Sequence, residues 1–313
     1  MTTAAQTSVR PDRIPLGMAL IVGFCLVAPL LDVCAKLAAD HVPVGQITAA
    51  RFLVQTALML PVCLMMRLRL RLSSRLWPLI FWRAVFLILS TYLIIAALRF
   101  MPLADALAIV FVEPFIILLF GKLMFGEQIG PRRIMAACVG FTGCLLVIQP
   151  SFVAFGLVAL LPLGTAVSFA AYVLVTRALR DQMHPVEMQF QTGLAASLLL
   201  VPLMVLAYGR GWGALDLIVP QGIDWALLFG VGFFATVAHM MMTYALSVAP
   251  AATLAPLHYL EIITAAILGY LVFDDIPNGL ALWGIVVIMV SGLYVVHRER
   301  ATAAAITQPP GPI

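Results

Sequence analysis

Eight ionisable side chains stand inside long apolar runs of this chain: Asp32, Arg51, Arg83, Asp105, Glu113, His239, His258 and Glu261. Where water is absent such groups cost about 2.5–3.5 kcal/mol each on insertion scales, so they face protein or a water-filled cavity and mark binding or proton transfer. At about 1.5 Å per helical residue, Glu113 lies roughly 15 Å from one end of its run and Glu261 roughly 16 Å from the opposite end of its own. Both carboxyls therefore fall near the middle of a bilayer, placed to bind a cationic group or a proton. His258 stands three residues before Glu261 on the same helix face, a couple able to share a proton. His239 lies at mid-depth with no partner evident in the sequence. Tyr92 and Tyr259 are candidates for aromatic cavity walls. Asp32 and Arg51 lie at matching depths in adjacent runs joined by a short turn, which predicts a structural ion pair. Arg83 is close enough to the end of its run to snorkel, and Asp105 close enough to meet solvent.

The elements that must position these groups follow from composition. Of 313 residues, 63% are apolar and 10% charged, against roughly 25% charged in a soluble domain. A soluble globule and a disordered chain are both excluded. The apolar runs are continuous and rich in Leu, Ala and Met, without the alternation of an outer-membrane barrel. A spanning helix takes about 20 residues. Ten candidate spans fall at 16–39, 44–66, 77–98, 103–124, 132–149, 157–178, 187–208, 224–247, 250–272 and 279–297, separated by Pro- and Gly-bearing turns such as Pro43, Pro102, Gly126 to Pro131, Pro250 and Pro277-Asn278-Gly279. The expected fold is therefore an all-α membrane protein of ten transmembrane helices. Residues 1–15 and 298–313 form short tails, the second Ala/Pro-rich and without expected structure. The first run is too long for a signal peptide and lacks a small-residue cleavage site, so it is an uncleaved helix. The five cysteines all fall in apolar runs with no Cys-x-x-Cys pair, and read as small buried hydrophobes. No metal site and no cofactor is expected.

Lys and Arg set the orientation. With a cytoplasmic N-terminus, thirteen fall in inside segments, among them Arg67, Arg69, Arg71 and Arg75, while only Lys36, Arg99 and Arg210 fall outside. Both termini are then cytoplasmic. A single basic loop between two spans is a topology signal, and no nucleic-acid partner is expected. Ala136, Gly140 and Gly143 mark a close-packing face on the run 132–149.

The fourth and ninth spans align without a gap at an offset of 148 residues. Pro102 meets Pro250, Ala104 meets Ala252, Glu113 meets Glu261, Gly121 meets Gly269, Phe125 meets Phe273, and Glu127 meets Asp275. Each half holds five spans, an odd number, so the halves are inverted relative to each other, as in many secondary transporters. The segment from Ala97 to Val147, with PLADA at 102–106, Glu113-Pro114 and LMFGEQIG at 123–130, resembles the EamA repeat of the drug/metabolite transporter superfamily. Arg51-Phe52 also fits the first repeat. The resemblance covers 16–148 and, more weakly, 155–296, where Asp274-Asp275 replaces Gly126-Glu127 and Ile262 replaces Pro114. It implies ten helices around a central cavity and transport of a substrate.

The leading function is a secondary active transporter in the cell inner membrane, working by alternating access. No Walker motif is present, so the proton gradient or solute exchange would supply the energy. The two acids favour a cationic or zwitterionic metabolite such as an amino acid, an amine or a sulfonium compound. A flavin or other aromatic solute is the alternative within the same family. A membrane-embedded enzyme would need a nucleophile or metal constellation, and neither His-x-x-x-His nor a Ser/His/acid set is visible. Expected partners are a small-molecule substrate, protons and the lipid bilayer, with the chain acting as a monomer or homodimer. Reporter fusions placed after Ala39 and after Met66 should report outside and cytoplasm respectively. A cytoplasmic signal from the turn at His41 to Pro43 would overturn this topology.

Overall fold

A backbone in hydrocarbon has no water to bond, so apolar runs of this length must satisfy their own N–H and C=O groups as helices. The computed structural model describes residues 13–68, 70–71, 73–125, 131–249, 254–275 and 279–306, and no strand occurs among them. Arg10, Arg69, Glu127, Pro250, Ala252 and the Pro277-Asn278 turn lie outside the described residues.

The helices in chain order are α1 (Ile14–Ala39), α2 (Val44–Met65), α3 (Trp77–Leu98), α4 (Leu103–Val110), α5 (Glu113–Phe125), α6 (Pro131–Phe155), α7 (Leu160–Leu179), α8 (Pro185–Ala207), α9 (Asp224–Val248), α10 (Leu260–Phe273) and α11 (Gly279–Ile306). Short 3-10 turns at Gly156–Ala159 and Ala255–Tyr259 lead into α7 and α10. Among the described residues, six stretches are long and apolar enough to cross a membrane: Ile14–Ala39, Val44–Met65, Trp77–Leu98, Cys138–Leu179, Pro185–Ala207 and Asp224–Val248. Shorter apolar helices cover Leu257–Phe273 and Gly279–Ser291. Leu26, Leu64, Leu89, Leu123, Leu198, Leu271 and Trp283 point outward, while Asp32, Arg51, Arg83, Glu113, Gln189 and His239 are buried. Apolar outside and polar within is the arrangement of a multi-pass membrane protein.

The fourth expected span is not one helix. It breaks at Phe111-Val112, and α5 begins at Glu113. Pro114 explains the break, because a proline ring clashes with the carbonyl four residues back and is tolerated only in a helix's first turn. The second half breaks at the equivalent place, where the Pro256-bearing 3-10 turn gives way to α10. At the 148-residue offset, α5 superposes in sequence on Glu261–Phe273, and both segments end at the matching phenylalanine.

Packing follows the same exchange of halves. α1 lies along α9 as α3 lies along α7, α1 meets α10 as α7 meets α5, and α2 with α8 and α6 with α11 form the two self-matching pairs. The small-residue face expected on 132–149 is where α6 meets α11. A Cβ added to Gly284 would lie 2.6 Å from the Gly143 carbonyl oxygen, and one added to Gly143 would lie 2.9 Å from the Gly284 carbonyl oxygen. The Ala136 side chain lies outside the described residues. Two expectations change. The tail from residue 298 is helical through Ile306, consistent with its run of alanines, the best helix formers. Cys138 faces outward from the bundle, whereas Cys25 and Cys63 are buried.

The α6–α11 crossing leaves no room for a side chain. Gly284→Val should therefore lower thermal stability in detergent by about 1–3 kcal/mol, the usual range for overpacking. Trp283→Leu, on the outward face beside it, should leave the melting temperature nearly unchanged.

Candidate functional site: a central polar cavity

A cavity partly open to solvent lies among α1, α2, α3, α4, α5, α7, α9 and α10. Its walls are mostly apolar, with Phe24, Phe111 and Phe169 among them, and its polar lining includes Asp32, Arg51, Ser90, Thr91, Glu113, Thr165, His239 and Glu261. Both helix breaks deliver an acid to it. Glu113 is the first residue of α5 and Glu261 the second of α10. Both acids stand in the first turn of their α-helices, where the helix dipole favours negative charge.

His258 faces Glu113 of the other half, with Nδ1 3.8 Å from Oε2. Among the described residues, no hydrogen bond or ion pair joins it to Glu261. Phe24 of α1 stacks on the imidazole, ring centroids 5.3 Å apart and 25° between planes, and fixes its orientation. The other Glu113 oxygen, Oε1, is buried without a hydrogen-bond partner. Glu261 is only partly buried, and Asp32 and Glu113 lie close enough for their charges to repel its own.

Asp32 and Arg51 share the cavity, but no ion pair of 4 Å or less joins them. The expected bridge assumed that α1 and α2 pack as neighbours. Instead α1 lies along α9 and α2 along α8 and α9. Arg51 is fully buried, with its guanidinium 4.4 Å from the Phe52 ring centroid. Its Nη2 lies 3.2 Å from His239 Nε2, and His239 Nδ1 lies 3.0 Å from the Ala235 carbonyl oxygen. These partners assign Nδ1 as the donor to Ala235 and Nε2 as the acceptor from Arg51, the neutral imidazole. His239 thus has a partner that sequence did not disclose. Arg51 Nε and Nη1 have none.

Tyr92 and Tyr259 are not among the cavity-lining residues. Tyr92 packs half-buried against the main apolar cluster, and Tyr259 lies against Phe111, with centroids 5.7 Å apart. Sequence reasoning missed Phe24, Phe111 and Phe169, because an aromatic in an apolar run carries no mark of which way it faces. Asp105, expected at the solvent edge, is buried in the first turn of α4. Near it, Lys36 Nζ pairs with Asp275 Oδ2 at 2.6 Å and sits 4.4 Å from the Phe273 ring, joining α1 to the end of α10.

Arg83 does not snorkel. It is fully buried and lies over the Tyr172 ring, 4.6 Å from its centroid. Nε donates to Thr176 Oγ1 at 2.8 Å, and Nη2 donates to Tyr172 Oη at 2.9 Å and Thr243 Oγ1 at 3.4 Å. Nη1 donates to the Met188 carbonyl at 3.3 Å and to Thr192 Oγ1. The acceptors come from α7, α8 and α9, so one side chain of α3 ties four helices together without a carboxylate. Among the described residues, no group of three His, Cys, Asp or Glu side chains could hold a metal ion.

Two sequence-related halves, each with a broken helix that delivers an acid to one central cavity, define a membrane transporter architecture. Residues 15–149 and 156–297 match the EamA-like transporter family, and the chain belongs to it. A riboflavin transporter of Rhizobium johnstonii is 29% identical over 94% of this chain and 96% of its own length. A pseudopaline exporter of Pseudomonas aeruginosa is 27% identical over 90% and 95%. An S-adenosylmethionine uptake transporter of Rickettsia prowazekii is 24% identical over 65% and 66%. A protein solved by crystallography covers 91% of this chain and 98% of its own at a TM-score of 0.69 and 19% identity, a likeness of fold.

Removing the Arg83 guanidinium takes a donor from Tyr172 Oη, three threonine hydroxyls and the Met188 carbonyl, of which Thr176, Thr192, Thr243 and Met188 keep another hydrogen bond. Arg83→Met should lower stability by about 1–3 kcal/mol per group left unsatisfied, read as a fall in melting temperature. Arg83→Lys should recover only part of this, because one ammonium cannot reproduce the fork of five donors.

Proposed function

We propose that this chain is a secondary active transporter of a small organic metabolite bearing a cationic group, moved across the inner membrane by alternating access. In this reading the chain forms ten spans in two inverted five-helix repeats, with both termini cytoplasmic. The broken fourth and ninth spans then carry the site at the repeat interface. The Arg83 tie closes the cytoplasmic side of the cavity, and the Lys36–Asp275 pair lies at the outer side.

The observation that carries the proposal is the equivalence of Glu113 and Glu261: matching positions in the repeat, each opening a half-helix, both facing one cavity. Three carboxyls there, with Asp32, face a single buried guanidinium. In a low-dielectric site they cannot all ionise together without a counter-charge. Protons supply it when the cavity is empty, and a cationic substrate group supplies it when the cavity is filled. Proton and substrate then compete for the same carboxylates. Such competition couples opposite fluxes when the chain reverses its open side with one or the other bound. His258, 3.8 Å from Glu113, is placed to take up the proton that Glu113 releases.

A flavin or other aromatic solute is the second reading. It draws support from the riboflavin transporter relative and from Phe24, Phe111 and Phe169 in the cavity wall. The test is uptake or efflux in proteoliposomes under an imposed pH gradient, with a metabolite panel of cationic, zwitterionic and flavin solutes. Glu113→Gln and Glu261→Gln should each abolish gradient-driven transport of the cationic or zwitterionic solute while leaving folding intact, because Gln keeps the shape and hydrogen bonding of the neutral acid. His258→Ala should shift the pH optimum with a smaller loss. Unchanged gradient-driven transport in both Gln variants would sink the mechanism.

A further inference from the structure

Arg51 and Arg83 are both fully buried, but only one is satisfied. Every nitrogen of the Arg83 guanidinium has an acceptor, whereas Arg51 gives Nη2 to His239 and leaves Nε and Nη1 unpartnered. Orphaned donors on a buried cation are strongly unfavourable unless something completes them. Arg51 lines the cavity. Cation–π contact with Phe52 and the bond to the neutral His239 hold its guanidinium in place. Nη2 carries a second N–H, which forms a two-donor edge with free Nε or with free Nη1, and such an edge matches the two oxygens of a carboxylate.

We propose that Arg51 is the anion-binding pole of the cavity and receives a carboxylate of the transported solute, so that the substrate is a zwitterion rather than a simple cation. The inference rests on the proposed transport reading and narrows its substrate class. The opposite pole is the acid set Glu113, Glu261 and Asp32. Asp32 lies in the same cavity and is not paired with Arg51, which leaves the two free donors to a ligand. A doubly charged phosphate is disfavoured in the company of three carboxyls, and a single carboxylate balances one guanidinium. His239 is a positioning residue: its Nε2 lone pair holds Nη2, and protonating the ring would set two cations against each other.

The test uses the full chain purified in detergent and three phenyl probes that the aromatic and aliphatic walls can accommodate: benzoate, 2-phenylethylamine and phenylalanine. Binding is read as thermal stabilisation against probe concentration. The wild-type chain should respond to benzoate and to phenylalanine. Arg51→Gln should weaken both responses about ten- to hundredfold, the loss expected for hydrogen bonds to a charged group, while the 2-phenylethylamine response stays within about twofold. Arg51→Lys keeps the positive charge but not the fork. It should weaken benzoate about tenfold and carries the test if the Gln variant does not fold. A wild-type chain blind to benzoate, or equal benzoate responses in the wild type and the folded Arg51 variants, would overturn the proposal. The Gln variants of Glu113 and Glu261 separate the two readings. An amine response that they leave untouched refutes the role of the acids, and a benzoate response that depends on Arg51 stands regardless.

Discussion

Hydrocarbon cannot hydrogen-bond a backbone, and the whole arrangement depends on that constraint. A helix may break at membrane depth only where protein or a water-filled cavity satisfies the freed groups. Here the chain breaks at Phe111-Val112 and at Ala255–Tyr259, and both breaks lead into segments that face the central cavity. Each break exposes the start of a half-helix, and the residues placed there are Glu113 and Glu261. The acids and the breaks go together: a carboxyl suits a helix start, and in the first half Pro114 forces the start to be where it is.

Around that feature the bundle divides its polar groups by whether their bonds are complete. Arg83 is saturated by neutral acceptors from three helices and a ring, so it serves as a tie between helices with little capacity to bind anything else. Arg51, buried to the same extent, is held on one side by Phe52 and His239 and left open on the other. Glu113 shows the same half-completed state, with His258 across the repeat interface at one oxygen and no hydrogen-bond partner at the other. Incomplete bonds on charged groups are tolerated here because they face a cavity that a solute or water can fill. The exchange of helix contacts between halves, α1 on α9 answered by α3 on α7, interlocks the two repeats and keeps these groups at their shared interface.

Much of this was legible in the sequence. Continuous apolar runs decide for membrane helices because each must be long enough to span and polar enough nowhere else. The offset that matches Glu113 to Glu261 survives in the sequence because prolines, glycines and membrane acids are too scarce in such a composition to coincide often. The family resemblance rests on the same residues. Depth along a run also follows from counting, since rise per residue is fixed, and counting placed Glu113 and Glu261 in one layer.

Sequence could not assign partners, because depth and helix face say how far along a helix a residue lies but not which neighbour it meets. Asp32 and Arg51 matched in depth across a short turn, yet their helices pack against others, and Arg51 found His239 instead. His258 shared a face with Glu261, yet Phe24 stacks on the ring and its Nδ1 edge faces Glu113 in the opposite half. Arg83 sat near enough to a span end to reach water, but three threonines, Tyr172 and the Met188 carbonyl offered it five acceptors inside. The sequence by itself determined the membrane class, the repeat and the depth of its acids, all consequences of composition and rise per residue. Only the tertiary structure decided which charges meet, because lateral helix packing, not position along the chain, brings side chains within bonding distance.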